Sequence, residues 1–212
     1  MKQKRTFVMT ILSILLALSA CGGTGGSGAP PQTAPLLEPV STYGDVYYDL
    51  DGVENGVILC FHGTGGNAAG WTSGDKLSFL TNLQQGGYAF VCPTSLDQLS
   101  KQWSNDNNVA NVDVVNVDAV LTHLNVPSDT PLYLVGHSNG GQFTSRYGIY
   151  SSRETAVKAV QISNAFGVTA ILNAAAYKLP TLFTYADCDQ ISDAADVRNS
   201  ISCLNGKTPP VP

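Results

Sequence analysis

Five consecutive residues, Gly136-His137-Ser138-Asn139-Gly140, carry the clearest chemistry in this chain. They follow the apolar run Pro131-Leu132-Tyr133-Leu134-Val135, which reads as a buried strand. They precede Gln142-Phe143-Thr144-Ser145-Arg146-Tyr147, which reads as a helix. A G-x-S-x-G between strand and helix makes a sharp turn that lifts one serine hydroxyl clear of a sheet. Its flanking residues must be small, because the turn is strained and the backbone passes close to its neighbours. Ser138 is therefore a candidate nucleophile. A second glycine-rich segment, His62-Gly63-Thr64-Gly65-Gly66, follows the apolar run 56–61. A serine hydroxyl at neutral pH also needs a base. The chain has only three histidines. His62 lies in the glycine-rich loop and His137 inside the turn, where a sequence neighbour cannot easily face Ser138. His123 falls in a helical stretch and reads as a surface or capping residue.

The elements that must position these residues alternate between two periods. Residues 46–50, 56–61, 88–92, 157–162 and 181–185 read as strands, and the continuous apolar runs among them suit strands covered on both faces. Residues 75–85, 112–124, 169–177 and 192–204 read as helices; 112–124 sets Val114, Val117, Val120, Leu121 and Leu124 on one stripe. Alternating strands and helices mean an α/β fold built from parallel βαβ units. Trp71 and Trp103 are candidates for lining a substrate pocket, with ordinary packing as the alternative for both.

The first residues form a targeting segment. Lys2, Lys4 and Arg5 precede an apolar stretch at 7–18, followed by Leu18-Ser19-Ala20-Cys21. This resembles a bacterial lipoprotein signal, in which cleavage leaves the cysteine as a lipid-bearing first residue. The alternative is an ordinary secretory signal with an incidental cysteine. Residues 1–20 are thus expected to be removed and 21–39, rich in Gly, Pro, Ser and Thr, to form a flexible tether. Residues 40–212 are long enough for one domain with a real core. The expected location is the cell envelope, exported and held to the membrane through lipid on Cys21, with Gly22 favouring an outer membrane.

The full chain carries a formal net charge of −5. Losing the three basic residues of the signal, with no acid among them, makes the mature chain −8. That argues against nucleic acid as a partner. Cys188 with Cys203 is the more plausible disulfide of an exported chain, whereas Cys60 and Cys92 are as readily buried thiols. No C-x-x-C or histidine-rich spacing suggests a metal site, and no cofactor is implied.

Three segments together resemble the α/β-hydrolases, and more narrowly the secreted esterases that include polyhydroxybutyrate depolymerases and feruloyl esterases. They are Phe61-His62-Gly63-Thr64-Gly65-Gly66-Asn67-Ala68-Ala69-Gly70-Trp71, Val135-Gly136-His137-Ser138-Asn139-Gly140-Gly141, and Pro180-Thr181-Leu182-Phe183-Thr184-Tyr185-Ala186-Asp187-Cys188-Asp189. The resemblance implies a mostly parallel sheet with helices on both faces. It implies cleavage of a small-molecule or polymeric carboxylic ester by Ser138 through an acyl-enzyme. The main-chain N–H groups of Thr64 and Asn139 would form the oxyanion hole. The loop after 181–185 would supply the acid, Asp189 first and Asp187 in reserve. His62 would stand near the substrate pocket.

In this fold the order is serine, acid, histidine, yet no histidine follows Asp189. The chain is therefore expected to lack the last strand and its histidine loop, and to be impaired as an enzyme. Two rivals stay open: a non-catalytic surface lipoprotein that keeps the fold for binding, and a peptidase on the same fold. No lid-sized insertion separates Ile162 from Thr181, which disfavours a long-chain lipase.

Overall fold

The computed structural model of the protein describes residues 36–40, 44–185 and 194–207. The strands are β1 Leu36–Val40, β2 Gly44–Asp49, β3 Val57–Phe61, β4 Ala89–Pro93, β5 Leu132–His137, β6 Val157–Ser163 and β7 Thr181–Thr184. The helices are α1 Gly74–Gln85, α2 Val112–His123, α3 Asn139–Tyr150, α4 Thr169–Leu172 and α5 Ala194–Leu204, with short 3-10 turns at Ala68–Trp71 and Glu154–Ala156.

The strands form one sheet in the order β1-β2-β4-β3-β5-β6-β7. From β4 to β7 every pairing is parallel, whereas β1 and β2 are antiparallel additions at one edge. Each parallel crossover needs a long connection, which the helices supply. β3 and β5 lie at the centre, with Leu59 opposite Leu134 and Phe61 opposite Gly136. Their carboxyl ends therefore finish side by side, and so do the two glycine-rich segments that follow them.

All five residues of β3 are buried, as a strand covered on both faces requires. Val57, Leu59 and Phe61 share one core cluster with Val114, Val117 and Leu121 of α2 and Phe143 and Tyr147 of α3. The alternate residues Ile58 and Cys60, with Phe90 and Cys92 of β4, are buried on the opposite face. α2 and α3 are joined by Asp118, whose carboxylate accepts from Tyr147 Oη (2.8 Å), Ser151 Oγ (2.7 Å) and the Ser152 main-chain N–H (2.7 Å).

Three expectations change. β1 lies within the segment read as tether, so the sheet begins at Leu36 rather than at about residue 40. Its single proline, Pro39, is tolerated because β1 is an edge strand. The helix expected over 169–177 stops at Leu172. Successive turns then carry Tyr177 into the core, where it is fully buried and its hydroxyl meets Thr181 Oγ1 at 3.2 Å. Cys203 carries a free, half-buried thiol instead of the expected bond to Cys188. Cys60 and Cys92 are buried free thiols, and burial pushes the Cys92 thiol well up. Residues 1–35, with Cys21, and residues 186–193, with Asp187, Cys188 and Asp189, lie outside the described residues.

Candidate active site

β5 runs into α3 through a single residue in the left-handed region, Ser138, with φ 54° and ψ −125°. A non-glycine residue in such a conformation costs on the order of 1–3 kcal/mol and persists only where its surroundings impose it. The surroundings here are main chain on every side. The Ser138 N–H donates to the Ser163 carbonyl (2.9 Å), tying the turn to the end of β6. A Cβ at Gly136 would lie 2.2 Å from the Gly140 carbonyl oxygen, and one at Gly140 would lie 2.3 Å from that of His62. The glycines of the motif thus allow three backbone segments to meet where any side chain would separate them.

The loop after β3 passes directly over this turn. A Cβ at Gly63 would sit 3.2 Å from Ser138 Cβ and 3.1 Å from His137 Nδ1. Gly65 donates its N–H to the carbonyls of Ser100 (3.2 Å) and Lys101 (3.3 Å), and Gly66 donates to Gly63 (3.0 Å). The Thr64 N–H meets no acceptor among the described residues. Asn139 opens α3, so its N–H belongs to the first turn, where no intrahelical acceptor exists. The helix N-terminus adds partial positive charge at the same place. The two main-chain groups expected to hold an oxyanion therefore flank the Ser138 turn, one on each segment.

His62 is fully buried, and its hydrogen bonds settle its tautomer. Nδ1–H donates to the Gly63 carbonyl (2.8 Å), while Nε2 accepts from the Ser95 N–H (3.1 Å). Burial is the main force holding its pKa below the ordinary value; the Gly63 carbonyl opposes this, and the ammonium groups of Lys76 and Lys101 add to it. The sign of the pH effect follows. An unfolded His62 takes a proton near pH 6.5, the folded one only at lower pH, so the stability is present above about 6.5 and lost as pH falls. Urea midpoints should fall between pH 7 and pH 5 more steeply for the native chain than for His62→Gln. The difference amounts to about 1.4 kcal/mol per unit of depression; parallel curves would contradict it.

The residues expected at the pocket are all buried. Trp103 is 1% exposed, stacked on Phe143 with centroids 4.6 Å apart and edge-on to Phe61 at 5.2 Å. Its indole N–H donates to the His62 carbonyl (2.8 Å) and its main-chain N–H to Asn139 Oδ1 (2.7 Å). Trp71 is 4% exposed, with the Lys76 ammonium 5.1 Å from its ring centroid. His62, Trp71 and Trp103 are thus all buried, packed beneath and beside the loop. His123 is exposed at the end of α2, away from the turn in sequence and fold, whereas His137 is exposed beside Gly63. β7 ends at Thr184, immediately before the segment that holds Asp187 and Asp189.

One residue at this site escaped the sequence reading. Asp113, 1% exposed in the first turn of α2, accepts from the N–H groups of Leu96 (2.8 Å) and Ser104 (2.6 Å). Burial pushes its carboxyl up against the opposing pull of those two donors. The only signal in the sequence is an acid two residues after Asn111, which reads as ordinary helix capping.

Comparison with known proteins gives the fold a name. No protein-family model matches the chain, and no curated protein matches it significantly. Solved structures do. A carboxylesterase from Mesorhizobium loti is similar at 13% identity and a TM-score of 0.60, over 84% of this chain and 87% of that one. The esterase Pf2001 from Pyrococcus furiosus is similar at 11% and 0.57, over 77% and 74%. LpqC, a poly(3-hydroxybutyrate) depolymerase from Bordetella parapertussis, is similar at 17% and 0.52, over 76% and 70%. The chain has the α/β-hydrolase fold.

Proposed function

We propose that this chain is a serine hydrolase that attacks carboxylic esters through an acyl-enzyme on Ser138. The observation that carries the reading is the left-handed Ser138 at the junction of β5 and α3, with the Gly63 backbone against its Cβ. Ser138 Oγ adds to the ester carbonyl carbon, and the N–H groups of Thr64 and Asn139 receive the negative charge on the carbonyl oxygen. The bond to the alcohol then breaks, and the alcohol leaves with a proton. Water repeats the sequence on the acyl-serine and releases the acid. Asp189 is the proposed orienting acid.

No described histidine takes the base's role. His62 has both ring nitrogens engaged, His123 is exposed at the end of α2, and His137 Nε2 meets Asn164 Nδ2 at 3.4 Å. The hydroxyl proton would therefore pass to solvent, and losing the histidine of a serine triad costs about a millionfold in turnover. The 212-residue chain should hydrolyse p-nitrophenyl butyrate far more slowly than an ordinary enzyme, which turns over about ten times per second. Ser138→Ala should remove what remains. A fluorophosphonate should label Ser138 slowly. Equal hydrolysis and labelling by Ser138→Ala would overturn the nucleophile; turnover at an ordinary rate would overturn the missing base. The rival reading, a binding protein on this fold, predicts no labelling at all.

Export and attachment to the cell envelope through lipid on Cys21 complete the proposal, supported by the sequence of residues 1–22. Mass spectrometry of the N-terminal peptide, showing or lacking acyl chains, decides it.

A further inference from the structure

We propose that Asp113 is a positioning residue for the oxyanion site, acting through the loop 95–104 that its carboxylate closes at both ends. This role presupposes Ser138 as the nucleophile.

The loop touches each segment of the site. At its start, the Ser95 N–H donates to His62 Nε2 (3.1 Å). In its middle, the carbonyls of Ser100 and Lys101 receive the Gly65 N–H. Near its end, Trp103 donates its indole N–H to the His62 carbonyl and its main-chain N–H to Asn139 Oδ1. Thr64 lies between His62 and Gly65, so its peptide is held from both sides by this one loop. Asn139 is held by the same loop through its side chain. The relative position of the two oxyanion donors therefore depends on where the loop sits.

The loop has no regular secondary structure to hold it in place. Lys101 adopts φ 51°, outside the conformations side chains prefer. Two oxygens of one buried carboxylate fix it instead: Oδ1 on Leu96 N–H and Oδ2 on Ser104 N–H. Asp113 is itself set at the start of α2 by Asn111, whose Oδ1 accepts its N–H (3.0 Å) and whose amide donates to the carbonyls of Ser104 (3.2 Å) and Asp106 (2.7 Å). A carboxylate is the one side chain of this size with two charged acceptors and no donor. An amide in its place directs an NH₂ at one of the two main-chain N–H groups.

The test is the labelling of Ser138 by a fluorophosphonate, resolved into reversible affinity (KI) and covalent rate (kinact). A misplacement of about 1 Å at a reacting centre is worth about a hundredfold in rate. Asp113→Asn should lower kinact about 10- to 100-fold with KI changed less than about twofold and the circular dichroism spectrum unchanged. Asp113→Glu should recover part of that loss. A native kinact in folded Asp113→Asn overturns the proposal, as does an equal change in KI and kinact, the mark of a general structural role. Should Asp113→Asn fail to fold, Trp103→Phe decides, because it keeps a ring on Phe143 while removing the donor to His62 along with part of the indole's bulk. A slowed kinact there supports the clamp, and a native one overturns it. Ser138→Ala labelled as fast as the native chain would instead overturn the nucleophile reading itself, with Asp113 falling only in consequence.

Discussion

Alanine at position 140 is expected to cost about 3 kcal/mol or more and to leave little soluble, folded protein. The added methyl would lie 2.3 Å from the His62 carbonyl oxygen and 2.4 Å from that of Phe61. Both belong to the central strand β3 or its end, which is paired on each side and cannot yield. Overpacking a core usually costs about 1–3 kcal/mol by displacing side chains; here only main chain could move. Gly70→Ala is the internal control. Its methyl would approach nothing closer than 3.9 Å, so the change should stay within about 0.5 kcal/mol. Thermal and urea unfolding of the two variants measure this directly. A Gly140→Ala protein as stable as Gly70→Ala would mean that the close contact between β3 and α3 is not real.

Trp103→Ala should be nearly as damaging, by about 3–5 kcal/mol, the range for removing a large buried aromatic side chain. The indole fills the space between Phe61, Phe143 and the His62 ring. Its loss also leaves the buried His62 carbonyl without its donor, an added penalty of about 1–3 kcal/mol where water cannot substitute. Trp71→Ala offers the contrast. Trp71 packs less centrally, 6.5 Å from Phe79 between centroids, and should cost less. The check is the difference between the two urea midpoints, and a larger loss at Trp71 would reverse the assignment of Trp103 to the core.

The parts of the structure written in local pattern were readable from the sequence. β3, β4 and the start of β5 are short unbroken apolar runs because both their faces are covered, and the glycines of 136–140 announce a turn no other residues could make. What could not be read depends on contacts between distant residues. β1 has the composition of a linker, and only pairing with β2 makes it a strand. The stretch after Leu172 favours helix locally, but Tyr177 gains more by burial. Trp103 sits in a polar loop that looks exposed, and nothing near it announces the fold-back onto Phe143. Asp113 hides its role for the same reason: both of its partners come from the loop that precedes it, at separations no periodicity encodes.

The strand order has a cost during synthesis. β3 needs β5 as a neighbour, and Leu59 cannot meet Leu134 until the ribosome has produced everything between them. At about 5–20 residues per second, the edge of the wholly apolar β3 that faces β5 stays unpaired for several seconds. Through that interval the nascent chain carries an unpaired apolar strand edge, the feature that makes folding intermediates prone to aggregate.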